Sequence, residues 1–259
     1  MKNIRHPACH KAKGSRVLET FNRRGDCRPG CRTSGRIRRF FRRDILPPGP
    51  KKLWPLLAPL KEMGYCLYGE TALALRFGHR QSMDFDFFTE RALDRKALET
   101  ALPWFRSGTV LRAEPDTHAL LAAIPRSRRE VKVSFFGGLT IGRVGTPDLS
   151  DDGVILVASV RDLLATKFKT LFDRVEPKDY LDVAEILSRG DDLPQGLSDA
   201  VALFGKTFSP AECLRILCWF GEPGLGSLPA GCRRTLETRV KAAWNKPLPP
   251  SRKAASSLT

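Results

Sequence analysis

Two carboxylates, Asp84 and Asp86, alternate with large apolar residues in the stretch from 83 to 88. Side chains alternate between the faces of a strand, so both carboxylates are expected on one face, roughly 6 to 7 Å apart. Two such carboxylates repel each other, and a half-buried strand tolerates them only when their negative charge is neutralised. A hard divalent cation, Mg²⁺ (or Mn²⁺), would bind these oxygens and bridge to substrate phosphates. The alternative is a solvated strand face, but the large apolar neighbours favour a central strand that holds a metal.

A turn and a short helix lie directly upstream of this strand. Gly69, Glu70 and Thr71 follow a short apolar strand and open a helix that runs to Arg76. The first backbone N–H groups of a helix have no partner within it, and they bind phosphate readily. We therefore expect this turn to present backbone N–H groups to phosphate beside the metal.

The segment 69–88 resembles the signature of the AbiEii/AbiGii-type nucleotidyltransferases, toxins of bacterial toxin–antitoxin and abortive-infection systems. The family pattern H-R-x-S-x-D-x-D is present as His79, Arg80, Ser82, Asp84 and Asp86. The resemblance implies the α+β fold of the DNA-polymerase-β-like nucleotidyltransferases, with a mixed, mostly antiparallel sheet flanked by helices and a helical C-terminal half. It also implies that Gly69, Glu70 and Thr71 hold nucleotide phosphates. Arg80 would contact a phosphate, and Ser82 would orient the adjacent carboxylate.

A second block resembles the later K…R…KDxxD motif of the same family. Its residues are Lys167, Arg174, Lys178, Asp179 and Asp182. The resemblance implies that Lys167, Arg174 and Lys178 bind the nucleotide and that Lys167 and Asp179 are catalytic. Asp179 would act as a base, or would orient Lys167 or a second metal. For Asp182 the alternative is an exposed ion pair with Lys178, one helical turn away, which contributes about 0.3–0.5 kcal/mol.

One position departs from the family pattern. Glu70 stands where the family has the second glycine of the turn, and it brings negative charge near the expected triphosphate. Either Glu70 points away at the helix N-terminus, where a carboxylate is favourable, or this chain binds nucleotide poorly. Many polymerase-β-like enzymes have a third metal-binding acid on a later strand, and its expected position here falls on Ser134, which carries no charge. The branch of the family that this chain resembles often carries V-K-V-S-F-F there, which implies that the third acid is either dispensable or supplied elsewhere. Glu130 lies on the same strand face, but farther along.

Composition restricts the class of protein. The chain has 259 residues and is 42% hydrophobic, enough for one large domain or two modest ones. The net charge of +16 favours a polyanionic partner, with nucleic acid as the first candidate. No apolar run reaches the length of a membrane span, and seven cysteines in no regular pattern fit reduced thiols in a cytoplasm. We expect a cytoplasmic protein with no membrane partner.

Changes in composition divide the chain into four parts. Residues 1–50 form a basic N-terminal extension, which we interpret as disordered, with a nucleic-acid-binding arm as the alternative. Residues 51–146 are predicted to hold the nucleotidyltransferase core. Residues 147–248 are predicted to form a helical region that completes the active site. Residues 249–259 are expected to be a frayed tail.

The motifs together predict a Mg²⁺-dependent nucleotidyltransferase. The resemblance implies that the protein is the toxin of a toxin–antitoxin system and that a cognate antitoxin protein restrains it. It also implies transfer of a nucleotide from an NTP to an RNA acceptor, for which tRNA is the candidate. The alternative, motivated by Glu70 and Ser134, is a catalytically degenerate member that binds nucleic acid or protein. A metal-dependent phosphodiesterase is a weaker alternative, because no histidine cluster surrounds Asp84 and Asp86 in the sequence.

Overall fold

The computed structural model describes residues 41–124 and 130–259, which form seven strands and ten α-helices. The strands are β1 Cys66–Tyr68, β2 Phe85–Phe88, β3 Thr109–Glu114, β4 Thr117–Ala123, β5 Glu130–Phe136, β6 Asp148–Leu149 and β7 Leu156–Val157. The helices are α1 Pro48–Leu53, α2 Pro59–Glu62, α3 Gly69–Phe77, α4 Arg95–Ala101, α5 Pro103–Arg106, α6 Val160–Asp173, α7 Pro177–Ser188, α8 Leu193–Phe204, α9 Pro210–Cys218 and α10 Ala230–Ala243.

All seven strands belong to one sheet with the order β3-β4-β5-β2-β1-β7-β6. The pairs β2–β5 and β1–β7 are parallel, and the other four neighbouring pairs are antiparallel. Five of the ten helices follow the last strand. The predicted α+β fold, with a mixed, mostly antiparallel sheet and a helical C-terminal half, is confirmed. Within the described residues, no helix has both the length and the apolar composition needed to span a bilayer.

Strand β2 lies at the centre of the sheet, between β1 and β5, and its two faces differ. Phe85 and Phe87 are fully buried, and Phe87 stacks on Phe135 of β5 with ring centroids 5.8 Å apart. Asp86 alternates with these rings and so faces the opposite side of the sheet. There the parallel register places Asp86 beside Ser134. The aromatic face anchors the strand in the core, while the other face presents the acid.

Helices α6 and α7 pack against each other, and α6 also packs against α3, which contacts β2. Helix α6 begins at a capping box, where the Ser159 hydroxyl accepts a hydrogen bond from the backbone N–H of Asp162. Helix α7 begins with Pro177, whose fixed φ suits the first turn. The short connection between them returns the chain directly, so the first turn of α7 lies near the C-terminal half of α6.

The boundaries of the predicted parts differ from the structure at both ends of the core. Residues 41–50 do not continue an extension, because Phe41 is buried and the Arg42 backbone N–H donates to the Leu75 carbonyl at 2.7 Å. The sheet also passes the predicted boundary at residue 146, since β7 pairs with β1 in the parallel direction. All described residues belong to one compact unit. The rest of the predicted extension, residues 1–40, lies outside the described residues.

The frayed tail expected from residue 249 onward is not observed. The backbones of Ala254 and Arg143 are joined by an N–H···O bond of 2.7 Å. The Ser251 hydroxyl donates to Asp199 at 2.6 Å, and Leu258 is fully buried. The tail is ordered because it contributes an apolar side chain to the core and pairs its polar groups with the fold. A sequence rich in Ser, Ala and Pro gives little sign of these contacts.

Candidate active site

The turn at Gly69 joins β1 to α3 directly beside the acidic face of β2. Tyr68 pairs with Asp86 in the antiparallel register, so the next residue, Gly69, begins α3 next to this carboxylate. Gly69 has a φ of +71°, and a Cβ at this position would lie 2.7 Å from Oδ2 of Asp86. Glycine satisfies both the backbone conformation and the restricted space. The phosphate-binding turn and the metal-binding acid of the prediction are therefore neighbours.

Replacing Gly69 by Ala is expected to disturb Asp86 as well as the backbone. Gly153 provides a matched control, since its φ is +74°. A Cβ added at Gly153 would contact none of the described residues within 4 Å, apart from its two neighbours along the chain. We expect each Ala variant to lose about 1–2 kcal/mol of unfolding free energy to the left-handed backbone. Only Gly69→Ala displaces the Asp86 carboxylate, and we expect it alone to lower nucleotidyl transfer, by about a hundredfold. Denaturant unfolding and transfer rates of both variants test this; equal transfer rates would contradict it.

Asp84 lies in the loop just before β2 and is exposed, so of the two carboxylates predicted on one strand face only Asp86 belongs to the strand. The Thr71 hydroxyl donates to the Asp84 carbonyl, and Thr71 Oγ1 lies 2.6 Å from Ser82 Oγ. Because Thr71 has only one hydroxyl hydrogen, Ser82 is the donor in the second bond. Both hydroxyl residues are buried. Thr71 and Ser82 thus fix the backbone that presents Asp84, which agrees with the orienting role predicted for Ser82.

The surroundings of Asp86 disfavour the charged form of its carboxyl group. Burial raises the pKa of Asp86, and the nearby charges of Asp84 and Glu70 raise it further, while the Ser134 hydrogen bond and the charge of Lys132 act against this rise. Among the residues that the structure describes, no ion pair within 4 Å reaches Asp84 or Asp86. A divalent cation would offset both the desolvation cost of a charged Asp86 carboxylate and its repulsion with the neighbouring acids.

Lys167 and Arg174, from the middle and the end of α6, meet at Asp179 in the first turn of α7. The Lys167 Nζ atom lies 2.7 Å from Asp179 Oδ1, and Arg174 Nε lies 3.0 Å from Asp179 Oδ2. Asp179 and Lys167 are both buried. Two cations therefore occupy both oxygens of the Asp179 carboxylate. These contacts favour the orienting role predicted for Asp179 over the role of a base.

Asp182 lies one turn farther along α7 and receives three donors. Lys167 Nζ lies 2.8 Å from it, Arg80 contacts both oxygens at 2.9 and 3.0 Å, and His79 Nε2 lies 3.0 Å away. Burial of Asp182 acts to raise its pKa, but hydrogen bonds from His79 and Arg80 and the charge of Lys167 outweigh it, so the pKa is well below the ordinary value. His79, to which the sequence assigns no role, is thus part of the network.

The alternative prediction of an exposed Lys178–Asp182 pair is wrong. Helix α7 turns Asp182 into the core, where it is fully buried, while the Lys178 side chain remains 44% exposed. Lys178 Nζ instead lies 2.9 Å from the Glu70 carboxylate and 3.0 Å from that of Glu176. Neighbours along a helix surface pair only when both face solvent on the same side, and here they do not.

Glu70, in the first turn of α3, faces the cations predicted to bind phosphate. Its carboxylate lies 3.0 Å from Arg80, 2.9 Å from Lys178 and 3.7 Å from Arg174. The alternative prediction that Glu70 points away from the site is therefore wrong. The helix N-terminus adds a further favourable interaction with the negative charge.

Two groups of acids are candidates for a divalent cation. Glu70, Asp179 and Asp182 offer oxygens that all lie within 4.8 Å of one another. Lys167, Arg80, Arg174 and Lys178 already neutralise this first group. Asp84 and Asp86 have no such partner among the described residues, so their donor set fits a hard cation better.

The sequence profile of the family described as "Nucleotidyl transferase AbiEii toxin, Type IV TA system" matches residues 57–211, more than half of the chain. The match includes both motif blocks and the turn between β1 and α3. The chain belongs to the AbiEii nucleotidyltransferase toxin family. The resemblance on which the sequence prediction rests is confirmed.

This AbiEii-family chain is also similar to individual proteins. It is 29% identical over 133 residues to a protein of Aquifex aeolicus (strain VF5), aq_aa25; the match covers 49% of this chain and 61% of that protein. The chain thus matches less than two thirds of that relative's length. Among solved structures it is similar to MenT4, a nucleotidyltransferase toxin of Mycobacterium tuberculosis (TM-score 0.49, 14% identity, 74% of this chain and 81% of the other). It is similar too to an antigenic nucleotidyltransferase-like protein of Paracoccidioides brasiliensis (TM-score 0.47, 15% identity, 75% and 94%).

Proposed function

We propose that this AbiEii-family toxin transfers a nucleotide from an NTP to an RNA acceptor in a Mg²⁺-dependent reaction. The acceptor we propose is tRNA, the location is the cytoplasm, and a cognate antitoxin protein restrains the activity. One observation carries the proposal: two carboxylates with no cationic partner in the described part of the chain, Asp84 and Asp86, lie beside a glycine turn and a group of cations. Metal and cations together match the negative charge of a bound triphosphate.

Asp84 and Asp86 would hold Mg²⁺ (or Mn²⁺), and the ion would supply charge neutralisation on the nucleotide phosphates. The backbone N–H groups at Gly69 and Thr71 would hold phosphate oxygens at the helix N-terminus. A hydroxyl of the acceptor attacks the α-phosphorus. A new P–O ester bond forms, the bond to pyrophosphate breaks, and the hydroxyl proton leaves to solvent. Such a reaction needs positioning and electrostatic stabilisation more than covalent chemistry from the protein.

The cations divide into a buried and an exposed group. Lys167 is buried between Asp179 and Asp182, so its position is fixed before substrate arrives. Arg174 and Lys178 are more exposed, at 43% and 44% of the side chain, so solvent and a bound nucleotide can reach them. We assign phosphate binding to Arg80, Arg174 and Lys178, and positioning of this group to the buried acids.

A non-catalytic binding module is the second candidate function. The contacts of Glu70 favour it, because this carboxylate already neutralises the cations that a triphosphate would need. In that case the chain would bind nucleic acid or a protein partner without transferring a nucleotide.

The proposal is tested by incubating the protein with each of the four NTPs, labelled at the α-phosphate, and total bacterial tRNA. Reactions contain Mg²⁺ or EDTA, and Asp84→Ala is the control. We expect Mg²⁺-dependent label on tRNA from one or more NTPs, and none with the variant. Absence of label from every NTP, with folded wild-type protein and tRNA from several species, would favour the binding module.

A further inference from the structure

Three cations from three elements converge on the Glu70 carboxylate. Arg80 comes from the loop after α3, Arg174 from the end of α6, and Lys178 from the first turn of α7. The Glu70 and Arg80 side chains are 22% and 23% exposed, whereas those of Arg174 and Lys178 are 43% and 44% exposed. Arg174 and Lys178 therefore reach the carboxylate from its more exposed side.

The donors around Glu70 are of the kind that bind phosphate. Two guanidinium groups and an ammonium group offer several N–H donors, more than the two oxygens of one carboxylate can accept. A terminal phosphate offers three oxygens and more negative charge. The same point lies at the N-terminus of α3, where backbone N–H groups also favour an anion.

Glu70 also lies close to the proposed metal site. Glu70 directly follows Gly69, whose Cα borders the Asp86 carboxylate. A phosphate at the position of the Glu70 carboxylate would thus belong to the same nucleotide whose other phosphates reach the metal.

We propose that the Glu70 carboxylate occupies a phosphate subsite formed by Arg80, Arg174 and Lys178, and that an NTP binds by displacing this carboxylate with its terminal phosphates. This inference rests on the proposed function. It adds that the protein blocks its own phosphate subsite with the side chain of Glu70. The free protein holds its own anion in the subsite, so part of the binding energy of the nucleotide goes into moving Glu70 aside. Because the ion pairs of Glu70 are partly exposed, a multiply charged ligand can replace them.

The chain offers a matched control in Glu176. Its carboxylate also contacts Arg174, at 3.4 Å, and Lys178, at 3.0 Å, but it forms no ion pair with Arg80 and lies at the start of α7. Glu176→Gln removes the same charge and leaves Glu70 in the subsite. Glu70→Gln removes the blocking charge, and Glu70→Ala serves as a second variant if the amide finds new partners.

The experiment measures binding of inorganic tripolyphosphate, with Mg²⁺, by calorimetry to wild type and the three variants after thermal unfolding confirms that each is folded. We expect Glu70→Gln and Glu70→Ala to bind tripolyphosphate about tenfold more tightly than wild type, because in wild type the Glu70 carboxylate occupies the subsite most of the time. We expect the affinity of Glu176→Gln to differ from that of wild type by less than about threefold. Equal binding by wild type and the Glu70 variants, or an equal gain in Glu176→Gln, overturns the inference.

The transfer assay separates this inference from the proposed function. If wild type labels tRNA and the Glu70 variants do so with an unchanged KM for NTP, the self-blocking role fails while nucleotidyl transfer stands. If neither wild type nor a Glu70 variant binds tripolyphosphate or transfers label, both fail. A KM about tenfold lower in the Glu70 variants, with kcat changed much less, supports both.

Discussion

Asp86→Asn is expected to lower nucleotidyl transfer by about a thousandfold or more, with little loss of stability. The amide keeps the size of the side chain and one oxygen that can accept a hydrogen bond from Ser134, but it has no negative charge with which to neutralise a divalent cation. Removal of the charge also relieves the repulsion with Asp84 and Glu70, which contributes to the raised pKa of Asp86 after burial, its largest cause. The folded state should therefore be as stable as wild type, or more so.

The measurement is the rate of label transfer to tRNA together with Mn²⁺ binding by calorimetry. Glu130→Gln is the control, because Glu130 lies on the same face of β5 as Ser134 but at the exposed start of the strand. We expect Glu130→Gln to retain transfer within about threefold of wild type, as is usual for an exposed side chain away from the reacting atoms. Full transfer by Asp86→Asn would place the metal elsewhere, and the acids around Asp182 would be the next group to test.

Asp182→Asn is expected to cost about 3–5 kcal/mol of unfolding free energy, because it removes one partner from a buried set of charges. Asp182 is fully buried and accepts hydrogen bonds from Arg80 and His79 while Lys167 lies 2.8 Å away. An amide leaves the buried Lys167 with Asp179 alone. For a chain of this size the midpoint of thermal unfolding should fall by roughly 6–20 °C.

Glu185→Gln is the matched control on the same helix. Glu185 forms an i,i+4 pair with Arg189 at the surface, and its loss should cost no more than about 0.5 kcal/mol. Chemical unfolding of both variants gives the comparison. A loss below about 1 kcal/mol for Asp182→Asn would mean that the network is not held together by this carboxylate.

The same carboxylate should make wild type sensitive to acid. Burial alone would raise the pKa of Asp182, but its cationic partners lower it well below the ordinary value, so the folded state holds this proton less tightly than the unfolded chain does. Its contribution to stability is therefore complete above the ordinary pKa of aspartate and is lost as pH falls through that value toward the lower folded one. Asp182→Asn should flatten the stability curve in this acidic range.

The sequence predicts the sheet, the helical half and the meeting of the two motif blocks. It also predicts that Ser134 lies beside the candidate metal-binding acids, and the register of β2 and β5 pairs Ser134 with Asp86. These features follow from local signals: alternation in a strand, a glycine turn and a capping box. They depend on residues close in sequence, so a single chain contains enough information to predict them.

The pairing of charges within the site is not predictable in this way. Lys178 forms an ion pair with Glu70 and not with Asp182, and His79 forms a hydrogen bond with Asp182. The tertiary packing of the helices, α3 on α6 and α6 on α7, determines which of these groups face one another. One signal was available. Asp179 and Asp182 share the i, i+3, i+4 spacing with the buried Val183, which places them on the apolar face of α7. Polar residues on such a face need buried partners, and the sequence supplies Lys167.

The division of the site between two distant parts of the chain affects the order in which the protein becomes active during synthesis. A nascent chain that has emerged only as far as residue 146 carries Gly69, Asp84 and Asp86, but neither β7, which extends the sheet beside β1, nor Lys167 and Asp179. Arg80 then has no buried carboxylate from α7 to orient it. The enzyme proposed here would thus remain without its cation group until α6 and α7 have left the ribosome and packed. The proposed nucleotidyl transfer would therefore begin only after synthesis of both parts of the site is complete.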